Sequence, residues 1–181
     1  MKKRIALLLF GLSKIKYKNW RNGYVEVDYR LSYENYIKYI YDYFQKKGYD
    51  IDVYFTTNDL NDDERKEIIN LYKPIKCDFF KYNSDKKKSR NTKFVNSMKL
   101  CIESNIKYDL ILITRFFLIF NKNFNESNIQ LDKFNLVSIL ERGNLICDNF
   151  YLFPYKYLKP FYDWGKNNLN ANYHWIKGVL E

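Results

Sequence analysis

Four polar residues stand where runs of apolar ones stop. Gly11 and Ser13 follow the run in IALLLFGLS, Thr57 follows that in DVYFTTN, and Arg115 closes that in YDLILITRFF. A glycine lets a ligand approach the backbone closely. A serine donates to a phosphate or a base, and a guanidinium pairs bidentately with a diphosphate or a carboxylate. Asp148, in LICDNF, could act as a general base or as a single metal ligand. Arg21, in the basic stretch SKIKYKNWRNG, could meet a phosphate, with Tyr17 or Trp20 to stack on a base. Each residue has a structural alternative. Arg115 could anchor the next loop, Asp148 could cap the turn into Pro154, and Arg21 could belong to a solvated basic loop.

Other groupings carry less chemistry. Asp50 and Asp52 alternate onto one side of an extended chain, as a two-carboxylate metal site would, but a helix-to-strand turn rich in Asp is the commoner explanation. His174 is the only histidine, beside Trp175. Cys77, Cys101 and Cys147 are far apart and form no CxxC or Cys/His pair, which argues against zinc. The GxxxxGK[ST] phosphate loop is absent. Tyr155, Tyr157, Phe161, Tyr162 and Trp164 could stack on a sugar, but with aromatics at 19% of the chain a core role is the commoner one.

These residues need elements to hold them. The continuous apolar run 5–10 predicts a strand buried on both faces. Tyr33, Tyr36, Ile37, Ile40 and Phe44 recur at helical spacing, predicting a helix over 32–47 with Ser32 as its cap and Gly48 just past its end. Strands are expected at 49–58, 75–82 and 108–115. A short helix is expected over 61–73 and another over 92–105, the latter burying Phe94, Met98, Cys101 and Ile102. Residues 13–30 and the charged stretch 83–91 read as loops. The alternation predicts an α/β fold, a mostly parallel central sheet with helices on both faces, in one domain over 1–181. Ligands in such folds sit beyond the carboxyl ends of the strands, which places Gly11, Thr57 and Arg115 on one rim.

Composition narrows the partners. The formal net charge of +10 invites a nucleic-acid reading, but the excess is lysine in a chain crowded with Asn, Ile and Tyr, and no nucleic-acid-binding motif is present. The odd cysteine count points to a reducing, cytoplasmic compartment. MKKRIALLLFGLS imitates a signal peptide but lacks a small-x-small cleavage site. No stretch approaches the ~18 apolar residues of a membrane span.

RIALLLFGLS, SYENYIKYIYDYFQKKGYDIDVYFTTN, LYKP, YDLILITRFFLIFNKNF and LICDNFYLFPYKYLKPFYD, in that order, resemble a family found in giant DNA viruses and some microbes. Its members look like nucleotide-sugar glycosyltransferases of the GT-A type. The resemblance implies a GT-A-like fold, shortened here at the C-terminus. It also implies transfer of a sugar from a nucleotide-sugar to a glycan or protein acceptor, with Gly11, Ser13, Arg21, Thr57 and Arg115 at the donor and Asp148 toward the acceptor. In that family the fourth strand ends Arg-Phe-Asp-Leu, and the aspartate would hold Mn²⁺ or Mg²⁺ on the diphosphate. This chain reads Arg115-Phe116-Phe117-Leu118, and a phenyl ring offers no oxygen ligand. Two alternatives follow: a relative that binds a nucleotide or glycan without turnover, and a basic nucleic-acid-binding domain.

Overall fold

Successive residues of β1 (Lys3–Gly11) enter two different cores. Ile5, Leu7 and Leu9 join one buried cluster, and Ala6, Leu8 and Phe10 join the other. An extended chain alternates its side chains in this way, so an all-apolar run must be covered on both faces. The computed structural model describes residues 2–18, 24–81, 86–139 and 145–170. It describes the side chains in those spans except at 17–18, 24–25, 86–88, 137–139 and 145–148.

In the main sheet β1 lies between β4 (Tyr49–Asn58) and β6 (Leu110–Arg115), parallel to both. β5 (Lys76–Phe80) extends the parallel part beyond β4. β7 (Asn135–Ile139) and β8 (Leu145–Pro154) complete it, with β8 antiparallel to β6 and β7 antiparallel to β8. The order is β5-β4-β1-β6-β8-β7. The chain steps outward from β1 to β4 and β5, then crosses back to β6 on the other side of β1. This reversal makes the carboxyl ends of β1 and β6 a topological switch point.

One face carries α1 (Tyr29–Tyr36), a π-helical turn (Ile37–Tyr41), α2 (Asp42–Lys46) and α3 (Asp62–Tyr72). Tyr36, Ile40, Phe44, Ile68 and Tyr72 bury there. The other face carries α4 (Lys86–Ile102) and α5 (Leu158–Asn167), which bury Phe94, Met98, Cys101, Leu158 and Phe161. Helices on both faces of a mostly parallel sheet are the expected architecture.

Several boundaries differ from the sequence reading. The first helix begins three residues before Ser32. Asp28 is its cap, accepting from the Arg30 amide, because its carboxylate stands one residue before the first turn. Ser32 is instead buried inside that helix. Part of the expected loop 13–30 is a hairpin, β2 (Lys14–Lys18) with β3 (Tyr24–Asp28). Its alternation, with Ile15 opposite Val27, is diluted by interleaved charges. Residues 86–91 of the expected charged loop form the first turns of α4, since lysine and arginine are good helix formers. The 3₁₀ turn Tyr155–Tyr157 and α5 absorb the aromatic cluster, of which Phe161 is core.

Candidate functional site at the switch point

Gly11 pairs with Thr57 in the β1/β4 register, and Phe10 pairs with Arg115 in the β1/β6 register. Gly11, Thr57 and Arg115 therefore share one rim of the sheet, at the switch point, as the sequence predicts. Gly11 has φ 99°, a conformation that L side chains rarely adopt, and nothing lies within 4 Å of where a Cβ would stand. The backbone here is unusually turned, and Gly11 is buried although no atom crowds the place a Cβ would take.

Ser13 follows within two residues and is fully buried. Its amide donates to Asn58 Oδ1 at 3.0 Å, the Thr57 hydroxyl donates to the same oxygen at 3.1 Å, and Asn58 Nδ2 donates to the Lys14 carbonyl. Asn58 thus ties the turn after β1 to the end of β4. Ser13 Oγ makes no hydrogen bond among the described residues, which is unusual for a buried hydroxyl.

Arg115 is half-buried at the end of β6. Its guanidinium carbon lies 5.5 Å from the Phe10 ring centre and 5.3 Å from that of Phe117, within cation–π range. Phe117 stands beside Arg115 as expected, but not by strand alternation: β6 ends at Arg115, and a turn closed by the Leu118 amide donating to the Arg115 carbonyl at 3.3 Å brings the ring back. The Arg115 carbonyl accepts from the Tyr36 hydroxyl, so the chain leaving β6 is tied to α1.

Two lysines add charge near this rim. Lys14 is paired with Glu64 on α3 at 2.6 Å, and the ammonium holds the Glu64 carboxyl below its usual range. Lys93, on α4, is almost wholly buried and has no carboxylate partner among the described residues. Its Nζ donates to Ser89 Oγ at 2.7 Å and lies 5.9 Å from the Phe80 ring centre, and burial pushes its pKa down. The Thr56 hydroxyl donates to the Lys93 carbonyl, which fixes this stretch of α4 to β4. Sequence reasoning misses Lys93 because one lysine among so many gives no signal until a helix face buries it.

Of the remaining predicted site residues, Arg21 lies outside the described residues, as do Trp20 and His174. Asp148 lies in β8, close to the rim that β6 reaches: Thr114 pairs with Phe150, and the Thr114 hydroxyl donates to the Asn149 carbonyl at 2.9 Å. The Asp148 side chain is not among those described. Asp50 and Asp52 sit at the opposite end of β4, toward the amino end of β1, where they pair with Lys2 and Arg4. The Tyr108 hydroxyl also donates to Asp52, at 3.0 Å. Each carboxylate faces its own cation, so the two do not form the metal pair their spacing allows. Among the described residues no group of three or more His, Cys, Asp or Glu could hold a metal. Nor is any described helix long and apolar enough to cross a membrane.

At this rim Gly11, Ser13 and Thr57 are buried, and the half-buried Arg115 guanidinium is the group that can meet an anionic ligand. No family model matches the chain, and no curated protein matches it. Among solved structures, it is similar to the apo-form of the glycosyltransferase GlyE of Streptococcus pneumoniae TIGR4, at 12% identity and a TM-score of 0.42. That match covers 95% of this chain and 40% of the other, so the chain spans less than half of GlyE's length.

Proposed function

We propose that the chain binds a nucleotide-sugar at the switch-point rim and is a glycosyltransferase-like protein acting on a glycan or protein acceptor. The carrying observation is the register that sets Gly11, Thr57 and Arg115 side by side where the sheet reverses its direction of winding. The motif resemblance read from the sequence supports the same reading. In this proposal the Ser13 hydroxyl, beside Gly11, meets the nucleotide, and Arg115 faces the diphosphate. During transfer an acceptor hydroxyl oxygen would bond to the anomeric carbon as the bond to the diphosphate oxygen breaks. Asp148 is the proposed base for the hydroxyl proton, and charge gathering on the departing diphosphate would be met by Arg115.

The described residues do not fit a divalent metal. Phe117 sets a ring 5.3 Å from the Arg115 guanidinium, where the resembling family has its carboxylate, and a ring has no oxygen to coordinate. The same observation favours a second reading, a relative that binds the nucleotide-sugar without turning it over.

A thermal-unfolding screen with UDP- and GDP-sugars, with and without Mn²⁺, tests the proposal, because a ligand that binds only the folded state raises Tm. Stabilisation by a nucleotide-sugar without metal supports it, and release of the free nucleoside diphosphate separates transfer from binding alone. Absence of stabilisation, together with salt-dependent binding of arbitrary oligonucleotides, would favour the nucleic-acid alternative.

A further inference from the structure

Between the loop after β6 and the β7–β8 pair lies a cavity of about 820 Å³, within the size range of small-molecule sites. Its apolar lining includes Leu118, Phe120, Ile129, Phe134 and Leu136, all half-buried, and Ile119, which is 56% exposed. Lys122 and Lys133 are the charged residues lining it, both exposed, and no described carboxylate lines it.

Both walls are held by amide side chains gripping backbone. Asn35 on α1 brackets Phe120, donating to its carbonyl at 2.9 Å and accepting from its amide at 2.8 Å. Asn135 Oδ1 accepts from the Gln130 amide at 2.8 Å, while its Nδ2 donates to the carbonyls of Gln130 at 2.7 Å and Leu152 at 3.0 Å. Each wall is thus pinned to the fold beside it, Phe120 to α1 and Gln130 to β7. The uncovered apolar surface and the uniformly positive charge need a ligand with complementary parts.

We propose that this cavity binds an amphipathic anion, with its apolar body against Leu118, Ile119 and Phe120 and a phosphate or carboxylate head at Lys122 and Lys133. The positive lining selects against cations, and the apolar walls select against small hydrophilic anions. The inference does not depend on the nucleotide reading, and its test contains no nucleotide.

The test is a fluorescence titration of the full chain with 8-anilinonaphthalene-1-sulfonate, itself an amphipathic anion, followed by displacement with oleate, farnesyl phosphate and neutral farnesol. Oleate or farnesyl phosphate should displace the probe at about tenfold lower concentration than farnesol. The better of the two names the head group. Ile119→Trp, at an exposed position that leaves the fold intact, should weaken probe binding about tenfold by filling the cavity. The double variant Lys122→Glu/Lys133→Glu should abolish the preference for anions. Near-ultraviolet circular dichroism establishes that each variant remains folded. Probe binding unaltered by both variants, farnesol displacing as well as the anions, or no probe binding at all would overturn the proposal.

Discussion

At Gly11 the backbone takes φ 99° with open space beside it, so the residue is needed for its conformation rather than for lack of room. Gly11→Ala should destabilise the fold by about 1–2 kcal/mol, read from urea unfolding. An unchanged midpoint would show that the turn relaxes. The Glu64 carboxyl is held below its ordinary value of 4.5, chiefly by the Lys14 ammonium. A depressed carboxyl stabilises the fold above its unfolded pKa and loses that contribution as pH falls through its folded one. The Tm gap between wild type and Lys14→Met should therefore narrow as pH drops below about 4.5; a gap independent of pH would remove the ion pair from the stability account. Phe117 is the residue on which metal chemistry turns. Phe117→Asp should create Mn²⁺-dependent UDP or GDP binding by placing a carboxylate beside Arg115. If it leaves metal dependence unaltered while the rim still binds nucleotide, position 117 is not where an ion would sit.

The strands bearing Gly11, Thr57 and Arg115 were legible because continuous branched apolar runs have few other solutions than a buried strand. The hairpin of β2 and β3 was not, because its short strands KIKYK and YVEVD carry as many lysines and acids as apolar and aromatic residues. The π-helical turn at Ile37–Tyr41 adds a residue without disturbing the apolar face, so periodicity did not report it. Nor did any pattern mark the loop after β6, whose position is set by contacts distant in sequence. Asn35 supplies two of those contacts, both to the Phe120 backbone. Asn35→Ala should cost about 1–3 kcal/mol, because it removes both hydrogen bonds and strands the groups they satisfied. Hydrogen exchange of the Phe120 amide should accelerate more than that of the β1 amides. Equal acceleration at both would mean that Asn35 supports the whole fold rather than this loop.

Among the described residues, β1 contributes to two buried clusters, one on each face of the sheet, and polar and charged residues gather at its ends. One end is occupied by structural ion pairs: Lys2 with Asp50 and Arg4 with Asp52. The other carries Gly11, Ser13, Thr57 and Arg115, a separation that topology made readable before any side chain was placed. What topology could not give was the burial of Lys93, the role of Asn58 or the cavity beyond β6, since each depends on how loops and helices pack. Because both cores share β1, Phe44→Ala in one and Phe94→Ala in the other should each cost about 3–5 kcal/mol and melt the chain in one transition; two separable transitions would contradict the shared sheet. The central claim is that the switch-point rim holds a nucleoside diphosphate through Arg115 without a metal. Calorimetric titration of wild type and Arg115→Ala with UDP and GDP in the presence of EDTA tests it directly. The predicted result is binding of at least one nucleotide by the wild type, weakened about tenfold or more in the variant. Equal affinity in the two proteins, or no binding by a folded wild type, would contradict it.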